Sequence, residues 1–176
     1  MSFSYFQGDT YQGCFSDGLY HGRGTLCFKN GDKYIGDFAN GLRHGKGRYI
    51  YATGGVYDGD YEFGIREGFG RYQDPANDVY EGEFRNGKAN GQGKFIFHNG
   101  DVYSGGFKDE HFHGKGVYKG VNGEFEGEYL DGVRQGFGVF RMANGDFYEG
   151  EFNNNVIEGA GSYMWKANGH VYKGTR

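Results

Sequence analysis

The chain has 176 residues, the length of one domain, with 19 basic and 23 acidic residues interspersed for a formal net charge of −4. That balance gives no basic stripe of the kind that holds nucleic acid, and no apolar run approaches the roughly 20 residues of a membrane span. Glycine supplies 37 residues, Tyr and Phe together 33, and Ile, Leu and Val only 18, so a thick aliphatic core is excluded and packing has to come from rings laid on glycine backbone.

Residues 1–10, "MSFSYFQGDT", contain no apolar stretch of the signal-peptide kind and read as a lead-in strand, the tail of a half repeat in a cytoplasmic protein. At Tyr11 a unit opens: Tyr-x-Gly-x-Phe-x-x-Gly-x-x-x-Gly-x-Gly, six residues, Gly, and two more. It reopens at Tyr34, Tyr57, Tyr80, Tyr103, Phe125 and Tyr148, at spacings of 23, 23, 23, 23, 22 and 23 residues, and a fragment starts 24 residues later at Tyr172. A fixed period decides the architecture. The chain therefore divides into seven repeats, 11–33, 34–56, 57–79, 80–102, 103–124, 125–147 and 148–171, followed by a partial repeat, 172–176. It stops at "VYKGTR", midway through a unit, so either the protein is longer or its last strand is an exposed edge.

Inside a unit the alternation has period two, which predicts strands. Tyr80, Gly82 and Phe84 share one face and Glu81 and Glu83 the other. After a turn at Asn86-Gly87, a second strand places Gly91, Gly93, Phe95 and Phe97 on the ring face. The dipeptides Asn30-Gly31, Asn99-Gly100, Asn122-Gly123 and Asn144-Gly145 predict type I′ turns between repeats, since both central residues of that turn need positive φ. A simple register sets Phe84 opposite Gly91, Gly82 opposite Gly93 and Tyr80 opposite Phe95, giving the glycines a packing role. It also sets Asp37 opposite Lys46, Asp58 opposite Arg71, Glu81 opposite Lys94, Cys14 opposite Arg23 and Cys27 opposite Thr10. The expected fold is all-β: an elongated, twisted, single-layer antiparallel sheet of tandem hairpins, ~65–70 Å long at ~4.8 Å per strand.

These units resemble the MORN (membrane occupation and recognition nexus) repeat over residues 11–176. The resemblance is carried by "YIGDF", "YEGEF" and "FEGEY" and by the trailing "HGRG", "HGKG", "GFG" and "GQG". The chain departs from the pattern at Asn77 in place of the late glycine, at Glu110 and Asn155 in the mid-unit turn, and at Phe125 for Tyr. The resemblance implies a scaffold or adaptor in ciliary, flagellar or cytoskeletal assemblies, with peptide or coiled-coil partners along the sheet and sometimes dimers.

Sites with chemistry are few. "HGKG" lacks both the Gly-x-x-x-x-Gly-Lys-Ser/Thr spacing and the following helix of a phosphate loop. His21, His44 and His113 occupy the same position in three repeats, too far apart to converge on a metal, and His111 with His113 has no completing ligand set. Cys14 and Cys27 are offset along one hairpin, against a disulfide. The paired acids recur on an open face, so the chain reads as no enzyme, with no cofactor and no metal. The partner-binding candidates are rings: Tyr34, Phe38, Tyr57, Tyr61, Tyr80, Phe84, Tyr103, Phe107, Tyr129, Tyr148, Phe152 and Trp165. They read as part core and part groove for an extended or helical protein segment. Two alternatives stand beside that reading: an anionic-lipid surface module using Lys46, Arg48, Arg71 and Lys94, and a self-assembling element that dimerises through its end strands. Leu19, Leu42, Ile65, Val133 and Val156 form an apolar column that Lys88 and His111 interrupt; with the short fifth repeat, this reads either as a bend or partner-specific contact in repeats four and five or as drift of the repeat.

Overall fold

The computed structural model of the chain describes residues 2–5 and 8–175, residues 2–5 as backbone. Met1, Phe6 and Gln7 of the expected lead-in, and Arg176 of the partial repeat, lie outside the described residues. The chain forms two compact units, Met1–Lys88 and Ala89–Arg176. No helix occurs among the described residues, and none is therefore long and apolar enough to cross a membrane.

The first unit holds β1 (Ser2–Tyr5), β2 (Asp9–Ser16), β3 (Leu19–Cys27), β4 (Lys33–Ala39), β5 (Leu42–Ile50), β6 (Val56–Glu62), β7 (Ile65–Gln73) and β8 (Val79–Arg85). The second holds β9 (Lys88–Ile96), β10 (Val102–Lys108), β11 (His111–Gly120), β12 (Gly123–Leu130), β13 (Val133–Met142), β14 (Phe147–Asn153), β15 (Val156–Met164) and β16 (Val171–Thr175). Within each unit every strand pairs antiparallel with the next in the chain. Each unit is thus one open sheet of tandem hairpins, as the period requires.

The tight turns lie at the other end of the hairpin from the predicted ones. Both central residues have positive φ at Asp17-Gly18 (50° and 77°), Asn40-Gly41 (50° and 82°) and Phe63-Gly64 (48° and 84°), the type I′ signature. The Asn30-Gly31 connection is longer. There only Gly31 has positive φ (93°), and its amide bonds to the Phe28 carbonyl at 2.9 Å. Asn122-Gly123 likewise has positive φ at the glycine alone. The departures from the repeat pattern keep the backbone of the glycines they replace: Asn77 at 72°, Glu110 at 75° and Asn155 at 69°.

The register corrects one expectation and sharpens another. In the hairpin β4–β5, Tyr34 faces Tyr49 and Gly36 faces Gly47, but the pairing then jumps to Asp37 opposite His44, leaving Gly45 and Lys46 as a bulge. The second aromatic consequently faces the residue after the turn, Phe38 opposite Arg43 and Tyr61 opposite Arg66, rather than a glycine of its own hairpin. It finds the glycine in the preceding repeat instead: Phe38 opposite Gly22, Tyr61 opposite Gly45, Phe84 opposite Gly68 and Phe107 opposite Gly91. Such a bulge sets Cys14 opposite His21 and takes Lys46 away from Asp37, leaving it opposite Asp60 on β6, while Asp58–Arg71 and Thr10–Cys27 pair as the simple register had them.

Candidate partner-binding face

The ring face is built on the opening tyrosine of each repeat. Tyr57 lies across two backbones; a Cβ added at Gly59 or Gly70 would meet its Oη at 2.5 Å. Only glycine admits the ring there. The hydroxyl, so held, donates to the Asp60 carbonyl at 3.0 Å, beside the register break that leaves Asp60 without a partner on β7. Tyr11, Tyr34, Tyr80, Tyr103 and Tyr148 repeat this bond to the carbonyls of Cys14, Asp37, Glu83, Gly106 and Glu151. Burial pushes the Tyr34 and Tyr103 phenols up to about 12, and those of Tyr57, Tyr61, Tyr80 and Tyr129 higher still.

The opening rings meet the second aromatics edge to face. In the first unit centroids run 5.2 Å from Tyr11 to Phe38, 5.0 Å from Phe38 to Tyr34, 5.2 Å from Tyr34 to Tyr61 and 5.3 Å from Tyr61 to Tyr57. In the second, Tyr103, Tyr129, Phe125, Phe152 and Tyr148 follow each other at 5.1, 5.5, 4.9 and 5.3 Å. Such pairs contribute about 0.5–1.5 kcal/mol each beyond their burial. In each unit these rings are the core.

Eleven of the twelve ring candidates, Tyr34 through Phe152, are therefore buried, none more than 6% exposed; Trp165 alone is open, at 40%. As direct anchors the eleven are closed off by burial, and in five repeats a further side chain is laid on top. That covering residue is the second of its return strand. Tyr20 stacks on Tyr11 at 3.9 Å and Phe112 on Tyr103 at 3.8 Å, nearly parallel in both cases. The Arg43 guanidinium lies 5.3 Å from the Tyr49 and Tyr61 centroids and donates to the Gly64 carbonyl at 2.6 Å. Arg66 covers Tyr57, Tyr72 and Phe84 in the same way and donates to the Gly87 carbonyl. Arg134 covers Phe125, Phe140 and Phe152. These residues escaped the sequence reading because their column mixes Tyr, Arg, Ala, Phe and Ile; their period-two relation to the return-strand rings was the signal available.

A second set of contacts locks some repeats to their neighbours. Asp32 accepts from the Tyr49 hydroxyl at 2.7 Å and the Ala52 amide at 2.8 Å, and Asp146 from Tyr163 at 2.8 Å and the Lys166 amide at 3.0 Å. Asp101 accepts from Tyr118 at 2.5 Å. These bonds hold all three carboxyls below the usual carboxylate range, through the Ala52 amide first for Asp32 and the tyrosine hydroxyl first for Asp101 and Asp146.

The opposite face is a charge ladder. Lys46 pairs with Asp60 at 2.6 Å, Arg48 with Asp58 at 2.7 Å and Arg71 with Glu81 at 3.1 Å, so three of the four cations considered for lipid contact already have carboxylate partners. Asp60 and Glu151 also accept from the amides of Phe69 and Ala160 at 3.1 Å, fastening the bulges. Leu19, Leu42 and Ile65 stand about half exposed near the turns. Cys14 and Cys27 are free thiols, and among the described residues no group of three or more His, Cys, Asp or Glu is placed to hold a metal.

The repeat, its hairpin and its ring-on-glycine packing define a class of tandem β-hairpin proteins. The family described as MORN repeat matches seven consecutive times, at 11–33, 34–56, 57–79, 80–102, 103–124, 125–147 and 148–170, and the chain belongs to that family. The search of curated proteins finds no match. Among solved structures, the TCP10 domain of Danio rerio CPAP aligns over 99% of this chain and 83% of its own, with a TM-score of 0.58 at 14% identity. A CPAP G-box domain, for which a role in centriole elongation is suggested, aligns over 100% of this chain and 98% of its own, with a TM-score of 0.57 at 13% identity. The Drosophila melanogaster SAS-4 (dCPAP) TCP domain, in complex with a proline-rich motif of Ana2 (dSTIL), aligns over 88% and 84%, with a TM-score of 0.52 at 16% identity. At these identities the likeness is one of fold.

Proposed function

We propose that the chain is a non-catalytic scaffold that binds a protein segment, extended or helical, along the ring face of its hairpin repeats in a cytoskeletal, ciliary or centriolar assembly. The observation that carries this reading is the covering layer. Tyr20 in one unit and Phe112 in the other stack on sealed rings, and Arg43, Arg66 and Arg134 set their guanidinium groups 5.2–5.3 Å from ring centroids. Tyr, Trp and Arg are the side chains that most often dominate protein interfaces, and pre-ordered ones lose little entropy on binding. The eleven buried rings form the floor under that layer, and Trp165 adds one accessible ring. A similarly folded domain holding a proline-rich motif fits the same physics, because polyproline segments dock on aromatic-lined grooves. On the other face, Asp58 and Asp60 pair with Arg48 and Lys46, and Asp60 also caps a bulge.

The test is affinity capture from a ciliated-cell lysate, read by mass spectrometry, with direct titration of the segment then mapped in the captured partner. The intact chain is run beside a ring-face variant, Tyr20→Ser with Arg43→Ser and Arg66→Ser, and a charge-face variant, Arg48→Ser with Arg71→Ser. The expected result is a partner lost only by the ring-face variant. Equal binding by the ring-face variant, once its sheet is verified by circular dichroism, would overturn the reading.

A further inference from the structure

One repeat of the second unit differs from its sisters on the ring face. Two residues after Leu26 and its equivalents on the other return strands, four repeats carry an aromatic, Phe28, Tyr51, Phe97 and Trp165, the last three lying 4.5, 4.7 and 4.7 Å from Tyr49, Phe95 and Tyr163, and the sixth repeat carries Met142. In the third repeat the position is Asp74, whose carboxylate fastens its own turn through the Ala76 and Asp78 amides at 2.8 and 2.9 Å. In the fifth repeat the position is Gly120. The connection is also one residue shorter there, with Gly120 pairing directly with Gly123 across two residues. Beside Gly120 lies a cavity of about 510 Å³ whose walls include Tyr118, Phe125, Phe140, Arg134 and Asp101. That volume lies in the usual range of small-ligand sites, ~300–1,000 Å³.

The walls select an occupant. Tyr118, Phe125 and Phe140 supply apolar faces. The Arg134 guanidinium lies among rings at 5.2–5.7 Å, and its Nη2 makes only a 3.4 Å contact to the Asn155 carbonyl where Arg43 makes one of 2.6 Å. A planar cation held this way attracts the electron-rich face of another ring. At the other end, the Asp101 carboxylate accepts from Tyr118 at 2.5 Å and from Asn99 at 3.2 Å on one oxygen, and from the Val121 amide as well. A carboxylate has about four lone-pair sites, so acceptor capacity remains. We propose that this notch receives a single aromatic side chain bearing a hydrogen-bond donor, an indole or a phenol, from the protein segment bound along the ring face. The proposal rests on the scaffold reading and adds to it a place on the chain where partner sequence is read: a Trp or Tyr replaces the ring that Gly120 omits.

The experiment titrates the isotopically labelled intact chain with N-acetyl-tryptophanamide, N-acetyl-leucinamide and N-acetyl-prolinamide, followed by amide and Arg Nε NMR signals. The expected result is saturable shifts at Gly120, Val121, Gly123 and the Arg134 Nε, with the tryptophan amide bound about tenfold more tightly than the other two. Gly120→Phe supplies the chain's own ring and should abolish these shifts; Gly120 is outside the left-handed region, although its Cβ would displace the Asp101 carboxyl at 2.8 Å. Arg134→Leu is the second variant. It keeps the apolar cover and should weaken the tryptophan amide several-fold while leaving the other amide signals in place. Shifts absent, equal for leucine, or centred on the first unit would overturn the notch. A captured partner that stays fully bound to Gly120→Phe would also overturn it while leaving the scaffold reading standing.

Discussion

Removing one oxygen from Tyr57 tests the packing logic of every repeat. The ring is fully buried, with Gly59 and Gly70 beneath it and Tyr61 and Phe84 edge-on at 5.3 and 5.0 Å, so Tyr57→Phe leaves the apolar packing in place. What is lost is the 3.0 Å bond to the Asp60 carbonyl, at a residue the bulge has taken out of the ladder on β7. A buried acceptor left without a donor costs about 1–3 kcal/mol, partly offset because the phenol no longer has to be dehydrated, for a net loss of about 1–2 kcal/mol. Phe125 supplies the reciprocal case: its Cζ stands 2.5 Å from a Cβ added at Gly127, where Tyr57 places its Oη against Gly59. Phe125→Tyr therefore has to draw the ring back before its hydroxyl reaches the Glu128 carbonyl, and should gain at most about 1 kcal/mol. Urea unfolding followed by circular dichroism gives the difference in midpoint at unchanged slope, and native-state hydrogen exchange localises it to the strands around Asp60. A Tyr57→Phe chain as stable as its parent would refute the claim that the hydroxyl fastens the bulge.

Gly70→Ala places a methyl 2.5–2.7 Å from the Tyr57 ring and hydroxyl, and should cost about 3 kcal/mol or unfold the repeat, read as lost amide protection. Glu110→Gly relieves a side chain held at φ 75° and should stabilise the second unit by about 1 kcal/mol in thermal melts. Because burial raises the Tyr34 and Tyr103 phenols to about 12, their contribution is complete below the unfolded value near pH 10 and is lost as pH rises toward 12; tyrosinate absorbance should appear together with loss of β signal rather than before it. The depressed carboxyls of Asp32, Asp101 and Asp146 work in the opposite direction. Their contribution is present above the ordinary carboxylate value near 4 and is lost as pH falls through the folded values, so Asp32→Asn should flatten the acid limb of the first unit's stability curve.

Period and composition made most of the fold legible. The 23-residue spacing located every hairpin, and the glycines could be assigned a ring-packing role before any contact was known. What escaped was the bulge. Nothing in "HGKG" announces that Gly45 takes φ 59° and drops out of the β4–β5 ladder with Lys46, yet that slip decides that Phe38 faces Arg43 rather than a glycine of its own hairpin. The turn types were exchanged for a similar reason. Between repeats Asn-Gly signals type I′ by composition, but three residues separate the Phe28–Asp32 hydrogen bond, and a loop of that length needs positive φ only at its last position. The candidate site was half legible. Sequence alternation identified the ring face, but burial depends on what lies above a ring, and that was set by Arg43, Arg66 and Phe112 in a column with no common chemistry.

The backward reach of the second aromatic also gives the chain a direction of assembly. Phe38 pairs with Gly22, Tyr61 with Gly45 and Phe107 with Gly91, always with a residue the ribosome has already released. A nascent front strand can therefore dock on a finished edge as soon as it emerges, without waiting for its own return strand. Each such step closes a short loop to the preceding strand, and the entropic cost of closing short loops is low. Within each unit, translation can extend the sheet strand by strand while leaving a single growing edge to be shielded.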